Sequence, residues 1–383
     1  MLRFLTAGES HGPAEIAILE GIPAGLSISI EYIQRELDKR RSGAGRGGRG
    51  MIEKDQVRIL SGVRFGKTLG SPIALLVENL DFANWAGKTD IEETTPRPGH
   101  ADLAGAIKYG FNDIRNVLER SSARETIMRV AIGAICKKFL EEFEIEIASH
   151  TIQIGQIKLS KEIVQFDEIK NVFNSDPETH CVDPTTSKKM KLAILDATKS
   201  KNTLGGIIEI ITHNVPPGLG SYVHFDRKLD GRIAQALMSI PSVKAVEIGE
   251  GITNSSKLGS EVHDEIFFSN GKYHRKTNRA GGIEGGVTNG EDIICRVYHK
   301  PISTLGQPLN TVDILTKKPT KALIERSDIC VVPRAGVISE AMLAYVLSQA
   351  FLEKFGGDSI SEIKRNFEGY ASQLVPAYRQ AGN

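Results

Sequence analysis

The chain has 383 residues, 40% of them hydrophobic and 25% charged, with a formal net charge of +1. Such proportions are ordinary for a soluble globular protein and exclude a disordered chain, and near-neutrality excludes a molecule-wide field that would gather nucleic acid or an anionic membrane. The length allows about two or three domains, or one elaborated domain. The four cysteines, Cys136, Cys181, Cys295 and Cys330, form no CxxC pair and have no histidine at metal-ligand spacing. The opening Met-Leu-Arg-Phe-Leu-Thr-Ala-Gly has no apolar signal region, and no stretch approaches a membrane span, so a reduced cytoplasmic protein without a metal is expected.

The first informative segment is Gly8-Glu9-Ser10-His11-Gly12. Histidine exchanges protons near neutral pH, and turns at element ends are where such groups act, although a turn histidine also serves as an ordinary hydrogen-bonding residue. Ile30, Ile33 and Leu37, with Ser29 ahead of them, have helical spacing, and this short helix delivers the basic run Lys39, Arg40, Arg41, Arg46 and Arg49. Gly43, Gly45 and Gly48 match G-x-G-x-x-G, but they follow a helix instead of a strand, so the dinucleotide reading is rejected. The same run resembles an RGG-type RNA-binding stretch, yet it has no aromatic residue and lies between ordered-looking elements. The favoured reading is a loop, mobile until an anion arrives, that folds Arg40, Arg46 and Arg49 over a phosphorylated or carboxylated small molecule.

Val57 to Val63 and Pro72 to Glu78 read as strands, and residues 81 to 98 as a long loop. A second histidine turn follows, Arg97-Pro98-Gly99-His100-Ala101-Asp102. Ser122-Ala123-Arg124-Glu125 matches a capping box ahead of a helix apolar around most of its circumference, which predicts a central, buried position. Arg120 and Arg124 sit at the end of that helix where the dipole disfavours cations unless an anion is present.

Residues 151 to 200 look polar and irregular. Ile207 to Ile211 and Val243 to Ile248 read as strands, with a helix from Leu229 to Ile240 between them. Ala280 to Gly286 carries four glycines in seven residues, fitting either close backbone approach to a flat ligand or a tight structural turn. Lys300-Pro301-Ile302-Ser303-Thr304 supplies a cation and two hydroxyls, and Arg326-Ser327-Asp328 with Arg334 adds an acid and two arginines. Ser339 is placed as the cap of a helix from Glu340 to Phe355, stopped by Gly356-Gly357. With no repeat, no low-complexity linker and no βαβ alternation, the pattern favours α+β in one extended domain.

Taken together, Gly8 to Gly12, Asp38 to Arg49, Arg97 to Asp102, Arg120 to Glu125, Ala280 to Gly286, Lys300 to Thr304 and Arg326 to Met342 resemble the chorismate synthase family along the whole chain, 1–383. The resemblance implies a β-α-β sandwich with central helices covered by sheets, assembled as a homotetramer. It implies an anti 1,4-elimination of phosphate from 5-enolpyruvylshikimate 3-phosphate to give chorismate, requiring reduced FMN without net redox change. Carried over by motif, Arg120, Ser121, Ser122, Pro241, Ser242, Gly285, Lys300, Pro301, Ile302, Ser303, Thr304 and Arg326 would contact FMN. Arg40 and Arg46 would meet substrate or NADPH, with Arg49, Arg124 and Arg334 also on substrate. His11 would protonate the leaving phosphate, His100 would assist protonation of the reduced flavin, and Asp328 would act with the flavin N5 in removing the C6 proton. Whether the flavin is reduced by this chain with NADPH or by a separate reductase stays open. Two rivals remain: an RNA-binding protein using the arginine-glycine loop, and a flavin oxidoreductase that passes electrons onward.

Overall fold

The computed structural model describes residues 1–47, 55–85, 92–161, 164–269 and 272–374. Strands Arg3–Ala7, Ala14–Glu20, Ile73–Glu78 and Val57–Ile59 lie side by side in that spatial order, every neighbour antiparallel. Their side chains alternate with the period of two that a pleated strand imposes. Ala17, Leu19, Ile73, Leu75 and Val77 turn inward and are buried, while Leu5, Ile16 and Ile18 face outward. A second antiparallel sheet runs in the order Val243–Ile248, Ile293–His299, Gly206–His213, Glu146–Ile154 and Ile157–Lys158.

The two sheets enclose helices, an α+β arrangement in which Thr126–Glu141 packs towards the first sheet and Val332–Phe355 towards the second. Only Arg129, Lys138 and Glu141 of the first central helix escape burial. Gly133 lets the two helices touch: a Cβ placed there would lie 2.2 Å from Ala341 Cβ and 2.4 Å from Ala341 Cα. The Ile30–Arg41 helix flanks this pair, buries Ile33 and Leu37, and begins at Ser29, whose hydroxyl accepts from the Tyr32 N–H at 3.2 Å.

A buried ionic cluster ties these helices together. Lys137 Nζ donates to Glu36 Oε2 and to Glu340 Oε2, both at 2.7 Å, and Ser149 Oγ donates to Glu340 Oε1 at 2.6 Å. Burial alone would lower the Lys137 pKa, but Glu340 and Glu36 outweigh it and keep the ammonium charged. Such a cluster is weak evidence for net stability, yet it fixes how three helices and a strand slide past one another.

Several local expectations are corrected. Ser122 accepts from the Arg124 N–H at 3.3 Å, but Glu125 turns to Thr6 and Arg129, so a 3₁₀ turn forms and no capping box closes. The last long helix starts at Val332, with Ser339 in its interior donating to the Ala335 carbonyl at 2.8 Å. Pro333 fits the first turn of that helix, where no amide donor is needed. Residues 151–200 hold the end of a long strand and the helix Pro184–Lys199, capped by Asp183. The Val332–Phe355 helix is also long and apolar enough to cross a membrane, against the expectation from sequence, but 83% of its apolar window is buried inside the protein. The four cysteines are free and buried.

The helix crossing predicts opposite signs for two glycine substitutions. Gly133→Ala should lower stability by about 1–3 kcal/mol through overpacking against Ala341, whereas Gly369→Ala should raise it by about 0.5–1 kcal/mol through helix propensity. Gly369 lies in the Ile360–Leu374 helix with nothing near its Cβ position. Urea-unfolding midpoints check both, and a neutral Gly133→Ala would contradict the close crossing.

Candidate active site

A cavity of 520 Å³ opens where the C-terminal end of the Ile30–Arg41 helix meets the N-terminal ends of the two central helices. The volume is within the range of small-molecule sites. It gathers His11, His100 and Asp328 with Ser121, Ser122, Pro241, Ser242, Lys300, Ile302, Ser303, Thr304 and Arg326. Arg40, Arg46, Arg124 and Arg334 complete its lining among the residues singled out from sequence. These positions come from segments more than 300 residues apart in the chain.

Three of the expected contacts take other places. The Arg120 guanidinium turns away and braces the first histidine turn, donating to Thr6 O at 2.9 Å, Thr6 Oγ1 at 2.8 Å and Gly8 O at 3.3 Å. Gly285, at φ +61°, belongs to the hairpin against the start of the Leu229–Met238 helix, whereas Pro241 and Ser242 follow its other end. Ten residues of helix separate them by about 15 Å, so Gly285 does not line this cavity. Pro301 is likewise outside the lining, and Arg49 lies outside the described residues.

His11 is almost fully buried and held from two directions. Its ring Nδ1–H donates to Glu119 Oε1 and its backbone N–H donates to Glu119 Oε2, both at 2.7 Å. Its ring also packs on Trp85 with centroids 3.8 Å apart. Burial would raise the Glu119 pKa, but the two hydrogen bonds and the charges of His11 and Arg115 hold it below the usual value. An ionised carboxylate in this place orients the ring and holds a proton on its Nδ1.

His100 follows the same principle with local parts. Its Nδ1–H donates to Asp102 Oδ1 at 2.5 Å, and Arg97 donates to the same carboxylate through Nε at 2.8 Å and Nη2 at 3.0 Å. Asp102 has no exposed surface; burial alone would raise its pKa, yet His100 and Arg97 drive it well below the usual range. Arg97 Nη1 reaches Thr304 Oγ1 at 3.0 Å, and a Cβ at Gly99 would sit 3.3 Å from Ser303 Oγ. The second histidine turn is thereby clamped onto the Lys300–Thr304 segment, whose Lys300 Nζ donates to Ser303 Oγ at 2.8 Å.

Asp328 accepts from Arg334 Nη1 at 2.5 Å and from the Gly47 N–H at 2.8 Å. Arg40 Nε donates to Thr126 Oγ1 at 3.0 Å and its Nη2 to Ala123 O at 3.1 Å. The resulting crowd of cations is costly. Burial first, then Arg334 and Arg41, lower the Arg46 pKa, with Asp328 and Asp55 only partly compensating. Burial and then Lys244 lower the Lys300 pKa in the same way. Two cavity donors, Ser121 Oγ and Arg334 Nη2, are buried without a hydrogen-bond partner among the described residues.

The described half of the glycine-rich loop is folded down. The Gly43 N–H donates to Pro177 O at 3.1 Å, the Ala44 N–H to Glu178 O at 2.7 Å, and Gly45 O accepts from the Ile329 N–H at 2.7 Å. Residues 43–45 are therefore docked on the body of the protein in this conformation; residues 48–50 lie outside the described residues. His180 supports this docking, receiving or donating a hydrogen bond with Ser42 Oγ at 3.0 Å and donating to Pro333 O at 2.6 Å.

Sequence reading passed over Glu119, Trp85 and Thr126. Glu119 adjoins the Arg120-Ser121-Ser122 motif, but nothing in its spacing points to a histidine more than a hundred residues away.

Comparison with known proteins shows the family and the fold. The profile of the family described as Chorismate synthase matches residues 2–352. The chain is 52% identical to chorismate synthase of Alkaliphilus oremlandii (strain OhILAs) over 98% of this chain and 99% of the relative. It is 50% identical to chorismate synthase of Geobacter metallireducens (strain ATCC 53774 / DSM 7210 / GS-15) over 98% of this chain and 99% of the relative. A solved structure described as Crystal Structure of Chorismate Synthase superimposes with a TM-score of 0.80 at 44% identity, covering 97% of this chain and 98% of that one. The cation-lined cavity with its two histidine–carboxylate pairs thus stands in a chain that belongs to the chorismate synthase family, lyases of aromatic amino acid biosynthesis.

Proposed function

We propose that the cavity binds 5-enolpyruvylshikimate 3-phosphate beside reduced FMN and eliminates phosphate across the 1,4 positions to give chorismate. The observation that carries this reading is the concentration of Arg40, Arg46, Arg124 and Arg334 in one cavity, with Ser121 Oγ and Arg334 Nη2 lacking a hydrogen-bond partner among the described residues. The substrate has one phosphate and two carboxylates, and planar guanidinium forks suit both anions. In the reaction the C6–H electron pair becomes part of the new diene while the C3–O pair leaves with phosphate, so no electrons are gained or lost overall.

His11, oriented by Glu119, is assigned to deliver the proton that the leaving phosphate takes. Asp328 keeps lone pairs on both carboxylate oxygens beyond its bonds to Gly47 and Arg334, and is assigned to the C6 proton. His100, oriented by Asp102, is assigned to hold the proton balance of the flavin.

FMN fits the remaining lining: Ser121, Ser122, Lys300, Ser303 and Thr304 offer hydroxyls and a cation suited to a phosphate, and Pro241, Ser242 and Ile302 a flatter wall. Bound reduced FMN would supply electron density to the reacting allylic system. Arg40 and Arg46 are assigned to NADPH as well as substrate, for chains that reduce their own flavin. Assembly as a homotetramer is supported by the outward face of the first sheet, where Leu5, Ile16 and Ile18 are exposed together. A cytoplasmic location is supported by four free cysteines.

Under anaerobic conditions a catalytic amount of reduced FMN should support many turnovers, with chorismate and phosphate released in equal amounts. Oxidation of one flavin per product would replace this reading with that of an electron-passing flavin oxidoreductase. His11→Asn and His100→Asn should each lower kcat by about 10²-fold or more, as expected for lost acid/base catalysis. Near-normal turnover by a folded variant, judged by an unchanged thermal midpoint, would return that histidine to a structural role.

A further inference from the structure

Glu15 is a buried carboxyl group for which the site described so far has no use. It sits on the inward face of the Ala14–Glu20 strand, opposite Val77, and is 1% exposed. Its Oε2 has no hydrogen-bond partner among the described residues. It lies directly beneath the His11 turn: a Cβ placed on Gly8, at φ +132°, would be 2.5 Å from Glu15 Oε2. That contact requires glycine at position 8 and puts the carboxyl against the same backbone turn whose Gly8 carbonyl accepts from Arg120.

The charged groups facing Glu15 are Arg124 and Arg120, which favour its ionised form, and Glu125 and Glu9, which oppose it. Glu125 is engaged by Thr6 and Arg129, so its charge is compensated elsewhere. Arg124 differs from the rest because it also lines the cavity. One guanidinium therefore both favours the ionised form of a buried carboxyl and forms part of the lining of the cavity. Desolvation dominates these influences and pushes the Glu15 carboxyl up to about 7, so both of its protonation states are accessible near neutral pH.

We propose that Glu15 is a positioning residue that acts as a proton-linked counter-charge of the anion site. Where it is ionised it acts on Arg124 as a carboxylate before an anion arrives, and it takes up a proton from solvent when an anion binds, releasing Arg124 to the ligand. The inference rests on the cavity being the anion site proposed above. Its sign follows from charge: an ionised Glu15 competes with the incoming anion for Arg124, and a protonated one does not. Anion affinity through this residue is therefore full well below pH 7 and declines as pH rises through the carboxyl's own range.

Sulfate is the suitable probe, since its charge is constant over the relevant pH range. Titration calorimetry of the full-length protein at pH 5.5 and 8.5, for wild type and Glu15→Gln, separates Glu15 from His11 and His100, which are common to both proteins. The two proteins should bind sulfate alike at pH 5.5, and the variant should bind about 5–10-fold more tightly at pH 8.5. In wild type at pH 7, infrared difference spectra on adding sulfate should gain a protonated-carboxyl band, a readout that needs no variant and survives a misfolded one. A wild-type-to-variant affinity ratio that is the same at both pH values, or sulfate binding without carboxyl protonation, would overturn the counter-charge. Failure of sulfate to bind either protein would instead overturn the anion site itself, and this inference with it.

Discussion

The structure depends on holding several guanidinium groups together in a cavity where water shields them poorly. Arginine cannot escape by giving up its proton at any ordinary pH, so the free energy of like-charge repulsion must be carried by the rest of the fold or removed by a ligand. Burial, then the charges of Arg334 and Arg41, lower the Arg46 pKa, in the direction such repulsion requires. The fold carries it by fixing the elements from which the cations project. Arg40, Arg124 and Arg334 stand at or beside the ends of three helices whose interiors are joined by Lys137, Glu36 and Glu340 and by the contact of Gly133 with Ala341.

The two histidines are poised by the same electrostatic device in two structural forms. Asp102 reaches His100 from two residues along the same turn, and Arg97 of that turn holds the carboxylate ionised. Glu119 reaches His11 from a distant helix and bonds both its ring and its backbone, so the side chain and the turn are positioned together. Packing on Trp85 removes further freedom from that ring. Preorganised groups of this kind lose little on entering the reactive geometry.

What was legible from sequence divides along the same line. Features encoded within a few residues were readable: the helix following Ser29, the Gly356 stop and the burial of the Thr126–Glu141 helix, whereas Asp102 stood in the quoted turn without being read as the partner of His100. The histidine turns and the basic run stood out by themselves, whereas Pro241 and Ser242 in the cavity lining were legible only through the family resemblance. Partners brought together by tertiary packing were not readable: Glu119 for His11, Thr126 for Arg40, and Gly47 for Asp328. The Arg120 side chain shows the limit of a motif, since its neighbours line the cavity while it braces Gly8 and Thr6. Ser339 misled because Ser at the head of an apolar run has the signature of a cap, whereas helix already precedes it from Val332.

The claim that ligand anions relieve a strain built into the cavity is tested most directly by the thermal unfolding midpoint of Arg46→Met, measured with and without 5-enolpyruvylshikimate 3-phosphate. Removing one cation relieves repulsion but also removes an anion partner. The variant without ligand should melt at or above the wild-type midpoint, and the increase that ligand gives the wild type should be largely lost. A variant that melts lower than wild type and keeps the full ligand-induced increase would contradict the account.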